Sequence, residues 1–272
     1  MTGTVLITGT SSGLGRATAK LFQAKGWNVI ATMRDPESEK ELTKLANTLV
    51  IRLDVQDLTS ITAALVAGLA RFGRIDALIN NAGYGAYGPL EATSFESVRR
   101  QYDVNVLGLI ATTKALLPHF RKNRSGAIVN ISSMGGRVAF PIGTLYHGTK
   151  FAVEGFSEAL QYELAPLGIR VKIVEPGVIN TDFSGRSFEF NDDPARPEYQ
   201  PVIQGLWNLA SSMRDHTSSP EAIAEVVYEA TTDKSDRLRY VAGADAEQLL
   251  AARHATNDAE FFAGMKAQVG IA

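Results

Sequence analysis

Apolar residues follow two recurring patterns along the chain: short continuous runs, and longer stretches with helical spacing. The short runs are rich in Val, Ile and Leu, which is typical of strands buried on both faces of a parallel sheet. They cover Val5–Thr8, Asn28–Thr32, Leu49–Leu53, Ala77–Asn80, Ala127–Ile131, Arg170–Glu175 and Leu238–Val241. Helical patterns lie between them, over Gly13–Ala24, Leu58–Arg71, Phe95–Arg121, Thr144–Pro166 and Pro220–Thr232.

The order of these elements predicts an α/β protein with a doubly wound parallel sheet of about seven strands. Right-handed crossovers place helices on both faces of such a sheet. No internal repeat and no linker-like segment divides the sequence, so we predict one domain over residues 1–272.

The composition is that of an ordinary globular protein, because 45% of the 272 residues are hydrophobic and 21% are charged. The net charge of -2 gives no reason to expect nucleic acid or an anionic membrane as a partner. Cysteine is absent, which excludes disulfides, a thiol nucleophile and a thiolate metal site, and the four histidines show no metal-ligand spacing. No leader-like segment and no apolar run of about 18 residues is visible, so we expect a cytoplasmic protein.

A glycine-rich turn joins the first predicted strand to the first predicted helix, with Thr8 to Gly15 reading T-G-T-S-S-G-L-G. Glycines let a backbone approach a pyrophosphate closely, and the following helix N-terminus offers free N–H groups and a positive dipole end. The alternative is an ordinary glycine-rich βα turn. The position within a β-α-β rhythm favours a dinucleotide site formed by Gly9, Ser11, Ser12, Gly13, Leu14 and Gly15.

Tyr146 and Lys150 lie four residues apart, and positions i and i+4 share one face of a helix. A nearby ammonium favours the phenolate and lowers the pKa of about 10 that a free tyrosine has. Ser133, thirteen residues before the tyrosine, could hold a substrate oxygen beside the phenol. The three residues predict an acid/base site for an alcohol or ketone. Y-x-x-x-K alone is a weak signal, because it also occurs by chance on solvated helix faces.

Taken in order, the motifs resemble the short-chain dehydrogenase/reductase superfamily. They are the turn at Thr8–Gly15, N-N-A-G at 80–83, Asn105 in D-V-N-V-L-G, Ser133, Y-x-x-x-K, and P-G at 176–177. The stretches A-T-M-R-D and E-P-G-V-I-N-T-D-F resemble its 17β-hydroxysteroid dehydrogenase-like branch. The resemblance implies a Rossmann-type dinucleotide-binding catalytic domain that interconverts a ketone or aldehyde and an alcohol by hydride transfer.

The resemblance also implies roles for individual residues, beginning with a catalytic tetrad of Asn105, Ser133, Tyr146 and Lys150. Tyr146 would exchange the proton, Lys150 would bind the nicotinamide ribose and lower the tyrosine pKa, and a distorted helix at Asn105 would hold a relay water. Spacing selects Ser133 over Ser132 as the catalytic serine. Further cofactor contacts are implied at Asp54, Val55, Asn81, Ala82, Gly83, Pro176, Gly177, Val178 and Thr181.

The end of the second predicted strand bears on the choice between NAD and NADP. NAD enzymes often place an acidic residue about 20 positions after the glycine turn to bind the ribose 2′-OH. The matching position here is Met33, followed by Arg34, which could pair with a 2′-phosphate. The adjacent Asp35 would either oppose this pairing or form an outward salt bridge. NADP is therefore favoured over NAD.

The segment Thr181–Ser219 breaks the β-α rhythm and mixes aromatic residues with polar and proline residues. A long irregular insertion is often functional, and this one follows the carboxyl end of the sixth predicted strand. We predict a substrate lid, with a surface flap as the alternative. The predicted substrate pocket consists of Ser133, Met134, Leu145, Tyr146, Val178 and Phe183, together with other aromatic residues of this segment.

The helices near Val104–Phe120 and Ala152–Leu164 carry apolar residues over more than one stripe, and family members pair these helices between subunits. We therefore expect a homodimer or homotetramer that acts on a small hydrophobic carbonyl or alcohol substrate. Two alternatives remain, a catalytically silent NADP-binding regulator and a nucleotide-sugar epimerase. The intact tetrad argues against the first. The missing G-x-x-G-x-x-G motif and the lack of a larger C-terminal domain argue against the second.

Overall fold

Seven parallel strands form one sheet in the order β3-β2-β1-β4-β6-β7-β9 in the computed structural model, which describes residues 2–181, 187–212 and 217–271. The chain winds outward from β1 to β3, then returns to β4 and winds the other way, which is the doubly wound topology predicted from the sequence. The strands are β1 Thr4–Thr8, β2 Asn28–Met33, β3 Thr48–Arg52, β4 Ala77–Asn80, β5 Gly85–Tyr87, β6 Gly126–Ile131, β7 Ile169–Pro176, β8 Phe188–Phe190 and β9 Arg239–Ala242.

Helices cover both faces of the sheet. They are α1 Gly13–Ala24, α2 Leu58–Phe72, α3 Phe95–Tyr102, α4 Gly108–Asn123, α5 Thr144–Leu164, α6 Gln200–Ser212, α7 Pro220–Thr232, α8 Ala244–Ala255 and α9 Asp258–Val269. Side chains of a strand alternate between its two faces, so Val5 and Ile7 join one buried core while Leu6 joins the other. Strand β1 is buried at every position, which explains its continuous apolar run.

Local chemistry sets several helix ends. The Asp57 side chain accepts hydrogen bonds from two backbone N–H groups at the start of α2, and Gly73 ends that helix with φ at 76°. At α7, the Ser219 side chain accepts from the Ala222 backbone N–H, and Pro220 stands at the first helical position. Helices α8 and α9 have no counterpart among the predicted elements.

The helix predicted over Phe95–Arg121 is not continuous. A π-helical turn at Asp103–Leu107 separates α3 from α4 and contains Asn105. Such a turn inserts an extra residue into the helix and breaks the regular i→i−4 hydrogen bonding, which a pattern of apolar positions does not reveal.

The segment Thr181–Ser219 was predicted to be irregular, and this prediction was wrong for its described part. It contains β8, which pairs in parallel with β5, and helix α6. A Cβ at Gly205 of α6 would overlap the Val269 carbonyl oxygen, so α6 packs closely on the end of α9. Backbone hydrogen bonds between Val178, Asn180 and Ser218 join the two ends of the segment.

No helix within residues 2–181, 187–212 and 217–271 is long and apolar enough to cross a membrane.

Candidate active site

The glycine turn lies between the carboxyl end of β1 and the first turn of α1. Gly9 and Gly13 have φ values of 74° and 51°, a region that strongly favours glycine. A Cβ at Gly15 would overlap the Gly9 carbonyl oxygen and lie 2.5 Å from the Asn81 amide nitrogen. The turn is therefore folded back on itself, and its backbone is open to a ligand at the N-terminus of α1.

The N-N-A-G stretch holds this turn in place. The Asn81 side-chain amide donates to the Thr8 and Gly9 carbonyl oxygens at 2.9 and 3.0 Å. The backbone N–H groups of Asn81 and Ala82 both donate to the Thr8 hydroxyl at 3.0 Å. Asn81 thus contacts the glycine turn directly and supports a dinucleotide site by fixing its shape.

Buried amides tie the strand ends of the site to two helices. The Asn80 amide donates to Asn130 Oδ1 at 2.8 Å and to the Thr113 hydroxyl of α4 at 2.9 Å. Asn130 donates in turn to the Ser157 hydroxyl of α5 at 2.8 Å. Sequence reasoning missed Asn130 and Ser157, because neither belongs to a motif and their contact depends on the register of β4 and β6.

Ser133, Tyr146 and Lys150 come together at the carboxyl end of β6, as predicted from their spacing. The Ser133 hydroxyl hydrogen-bonds with the Tyr146 phenol and accepts from the Gly135 backbone N–H at 3.0 Å. Lys150 Nζ lies 5.7 Å from the centre of the Tyr146 ring and donates to the Ile131 carbonyl oxygen at 2.9 Å. The three side chains are partly buried.

Burial governs the protonation of this trio. It raises the pKa of Tyr146 above 10, and the hydrogen bond from Ser133 only partly opposes this. Burial also lowers the pKa of Lys150 to about 8, while the charge of Glu154 acts in the opposite direction. The expectation that Lys150 lowers the Tyr146 pKa is therefore not met in this structure, because desolvation dominates.

Asn105 links the π-helical turn to the helix that carries Tyr146. Its Oδ1 accepts from the Tyr84 backbone N–H at 3.0 Å, and its amide donates to the Tyr84 carbonyl oxygen at 2.8 Å and to Thr149 Oγ1 at 3.1 Å. The Thr149 hydroxyl then donates to the Tyr146 carbonyl oxygen at 2.8 Å. The buried Asn105 side chain thus fixes the relative positions of α4, α5 and the segment before β5.

The P-G-V turn after β7 is held by a residue that the sequence patterns did not indicate. Asp245 at the start of α8 accepts a hydrogen bond from the Val178 backbone N–H at 2.7 Å. Cβ atoms at Gly177 or Gly243 would collide with its carboxylate. Thr181 reaches the glycine turn from the same side, with Cγ2 3.3 Å from a Cβ built at Gly13.

The candidate residues for the adenosine end differ in burial. Arg34 is exposed at the end of β2 and has no acidic partner within salt-bridge distance among the described residues. Met33 is buried in the core. Val55 is buried against Gly108 of α4, whereas Asp54 is partly exposed and accepts from the Gln56 backbone N–H at 3.1 Å.

On the predicted substrate side, a row of aromatic rings extends from Tyr146. The Tyr87 ring lies 5.4 Å from that of Tyr146 and 5.3 Å from that of Phe188, and Phe188 lies 6.2 Å from Trp207 of α6. The row connects the site to the segment Thr181–Ser219, whose aromatic residues were predicted to wall the pocket, whereas Tyr87 was not among the predicted pocket residues. Met134 and Leu145 are buried nearby, whereas Phe183 lies outside the described residues.

A family model described as short chain dehydrogenase matches residues 3–192, which is more than half of the chain, so the chain belongs to this family. An uncharacterized oxidoreductase of Schizosaccharomyces pombe is 41% identical over 239 residues, covering 88% of this chain and 100% of that protein. 17-beta-hydroxysteroid dehydrogenase type 1 of Homo sapiens is 33% identical over 251 residues, covering 87% of this chain and 76% of that protein. The predicted family membership is confirmed, and the chain is an oxidoreductase of this family.

Solved structures agree with the fold. A short-chain dehydrogenase from Streptomyces avermitilis superposes with a TM-score of 0.82 at 35% identity, covering 99% of both chains. ElxO with NADP bound has a TM-score of 0.73 at 29% identity, covering 89% of this chain and 98% of its own. A 3-ketoacyl-(acyl-carrier-protein) reductase from Brucella melitensis complexed with NADH has a TM-score of 0.74 at 28% identity, covering 88% and 94%. The predicted Rossmann-type fold is confirmed.

Proposed function

We propose that the chain is an NADPH-dependent reductase of hydrophobic ketones or aldehydes, which also oxidises the corresponding alcohols. The observation that carries this proposal is the hydrogen bond between the Ser133 hydroxyl and the Tyr146 phenol. A carbonyl oxygen that docks between two hydroxyls can accept a hydrogen bond from each of them. One of the two can then transfer its proton to the oxygen.

In the proposed mechanism, the bound nicotinamide cofactor supplies the hydride that adds to the carbonyl carbon. Ser133 orients the carbonyl oxygen, and Tyr146 donates its proton to that oxygen as the alcohol forms. The raised pKa of Tyr146 keeps the phenol protonated near neutral pH, as a proton donor requires. Lys150 keeps a positive charge one helical turn away and would bind the nicotinamide ribose.

Asn105 has a supporting part in this mechanism. Its side chain is occupied by Tyr84 and Thr149, so it stabilises the π-helical turn through contacts that it already makes. A π-helical turn leaves backbone carbonyl groups without their usual partners, and such a group can hold a water that returns a proton to Lys150. In this mechanism Ser133, Tyr146 and Lys150 act at the reacting atoms. Asn105, the fourth member of the tetrad, shapes the helix beside them.

The residues of the glycine turn fit a dinucleotide. The tight backbone at Gly9, Gly13 and Gly15 and the open N-terminus of α1 provide a cradle for a pyrophosphate. Arg34 is exposed and free of acidic partners within the described residues, which supports pairing with a 2′-phosphate. Similar structures bind NADP in one case and NADH in another, so the preference for NADP is proposed from Arg34 and Met33.

The proposed substrate is a bulky hydrophobic carbonyl compound. Tyr87, Phe188 and Trp207 form a partly exposed aromatic wall that begins at the Tyr146 ring. Apolar burial contributes about 25 cal/mol per Å², so a large apolar ketone gains more from such a wall than a small hydrated one. In this proposal the segment Thr181–Ser219 covers the bound substrate and excludes water from it.

The pairing of helices between two copies is proposed from exposed apolar side chains. Leu107 of the π-helical turn is 55% exposed and Tyr162 of α5 is 78% exposed, and Phe151 of α5 is also exposed. A symmetric dimer is the commonest oligomer, and its interface would cover apolar residues on these helices.

A panel of ketones, aldehydes and alcohols, followed at the nicotinamide absorbance with NADPH and NADH, tests the proposed function. We expect turnover of bulky hydrophobic ketones with NADPH. Tight NADPH binding without turnover of any compound in the panel would favour the silent regulator.

A further inference from the structure

A buried cluster of charged side chains packs against α5 one helical turn beyond Lys150. Arg239 of β9 lies between two buried carboxylates, with Nε 3.0 Å from Glu154 Oε2 and 3.4 Å from Glu175 Oε1. Arg137 contacts Glu175 Oε1 from the other side at 3.0 Å. The cluster thus joins α5, β7, β9 and the turn that follows Ser133.

Glu154 is the member of the cluster that lies on the same helix as Tyr146 and Lys150. It follows Lys150 by four residues on α5, so both side chains lie on one face of the helix. A Cβ at Gly136 would lie 2.6 Å from the Ser132 hydroxyl, 3.0 Å from Glu154 Cγ and 3.0 Å from the Lys150 carbonyl oxygen. The backbone of Lys150 and the side chains of Glu154 and Ser132 therefore all pack against Gly136, behind the Ser133 turn.

The second oxygen of each buried carboxylate remains without a hydrogen-bond partner in the described part of the chain. These atoms are Glu154 Oε1 and Glu175 Oε2. Leaving a buried charged oxygen unpaired is costly, so the pair needs compensation by nearby positive charge. Arg239 lies beside both buried carboxylates and Arg137 beside Glu175, and Arg239 also contacts the exposed Glu158.

The charges around Lys150 come from several elements. Lys150 and the cluster together hold three carboxylates and three cations. The Tyr146 phenol nearby is neutral, and His254 of α8 contacts Arg137 at 3.3 Å. The six charged groups are Glu154, Glu158, Glu175, Lys150, Arg137 and Arg239. Neutralising Glu154 would leave an excess of positive charge beside a lysine that is already partly buried.

We propose that Glu154 is a positioning residue for the reaction, whose carboxylate is the counter-charge that keeps Lys150 in its ammonium form. Arg239 holds this carboxylate in place with a hydrogen bond of 3.0 Å and opposes the rise in the pKa of Glu154 that its burial causes. The inference rests on the proposed function, since the charge of Lys150 matters to turnover only if Tyr146 exchanges the proton. Burial disfavours the ammonium of Lys150, and the charge of Glu154 opposes this effect.

Glu154→Gln tests the inference, because it removes the charge and nearly keeps the shape of the side chain. We expect the alkaline limb of the kcat/KM profile for ketone reduction to move down by about one pH unit or more. Glu158→Gln is the matched control, because Glu158 also pairs with Arg239 but is exposed. In this variant the alkaline limb of the kcat/KM profile should stay where it is in the parent enzyme. Glu154→Asp keeps the charge and should keep most of the parent profile.

A second measurement does not depend on turnover. With ¹⁵N-lysine labelling, the Lys150 ammonium can be titrated by NMR in the cofactor-free protein and assigned with Lys150→Arg. We expect the midpoint to fall in Glu154→Gln and to stay unchanged in Glu158→Gln. Should Glu154→Gln not fold, Glu154→Met has similar length without a charge and carries the same expectation.

An unchanged Lys150 midpoint in the folded Glu154 variant would overturn the inference, whatever the parent enzyme does with ketones. A lowered midpoint combined with a parent that reduces no carbonyl compound would leave the electrostatic role standing and contradict the proposed function.

Discussion

The Lys150 ammonium lies 5.7 Å from the centre of the Tyr146 ring and gives a hydrogen bond to the Ile131 carbonyl oxygen at the end of β6. The lysine side chain is thus anchored to the sheet rather than hydrogen-bonded to the phenol. Both side chains are partly buried, and desolvation is the main cause that sets the direction of their pKa shifts.

Tyr146→Phe should remove the proton donor and leave the glycine turn intact. We expect kcat for ketone reduction to fall by roughly 10²–10⁴-fold, as is typical when an acid/base group is lost. NADPH affinity, measured by fluorescence titration, should change little. Tyr162→Phe is the control, because Tyr162 is on the same helix and exposed. Near-normal turnover in Tyr146→Phe would exclude the proposed mechanism.

The reduction rate should depend on the protonation of Lys150. Its folded pKa of about 8 lies below the usual 10.5, and the Tyr146 pKa is raised, so Lys150 loses its proton first as the pH rises. We expect kcat/KM for reduction to decline above about pH 8. A profile that stays flat to pH 10 would show that the charge of Lys150 is not needed.

The same shift has a consequence for stability. Between pH 8 and 10.5 the unfolded chain binds the lysine proton while the folded chain does not, so the contribution of Lys150 to the free energy of unfolding rises with pH in this window.

Cofactor preference should depend on Arg34. We expect a higher kcat/KM with NADPH than with NADH, and Met33→Asp combined with Arg34→Ala should erase or invert the preference, because a carboxylate repels a 2′-phosphate and accepts from a ribose hydroxyl. Arg71→Ala serves as the control, since Arg71 lies in the last turn of α2. Equal use of both cofactors by the parent would mean that Arg34 does not reach the 2′-phosphate.

Gly15→Ala should weaken cofactor binding more than it affects folding. The added Cβ would overlap the Gly9 carbonyl oxygen and force the turn to open. We expect the dissociation constant of NADPH, measured by calorimetry, to rise at least tenfold. Gly264→Ala is the control, because a Cβ there meets no atom within 4 Å, and it should stabilise α9 by about 0.5–1 kcal/mol. Unchanged NADPH binding by Gly15→Ala would contradict the proposed cofactor site.

The chain should associate in solution. Light scattering at micromolar concentration should give at least twice the chain mass of 29.3 kDa. Replacing the exposed Leu107 and Tyr162 with Ser should weaken association if the helices near Val104–Phe120 and Ala152–Leu164 form the interface. A parent mass of 29.3 kDa would refute the prediction.

The sequence by itself determined the doubly wound parallel sheet and where its seven strands lie along the chain. Strands buried on both faces need continuous apolar residues, and β1, β2 and β7 show such runs within one or two residues of their observed bounds. Because a helix brings positions i and i+4 together, Y-x-x-x-K also predicted that Tyr146 and Lys150 share a face. For this pair, the spacing along the chain was enough to predict which side chains share a helix face.

Tertiary structure alone decided the contacts between distant segments. The pairing of β5 with β8, the packing of α6 on α9 and the Val178–Asp245 hydrogen bond join residues whose partners no periodicity identifies. The cluster around Glu154 likewise depends on the neighbouring positions of β7 and β9 in the sheet. The direction of the Tyr146 pKa shift was also decided at this level, because desolvation depends on everything packed around the phenol, whereas a motif specifies only its nearest neighbours along the chain.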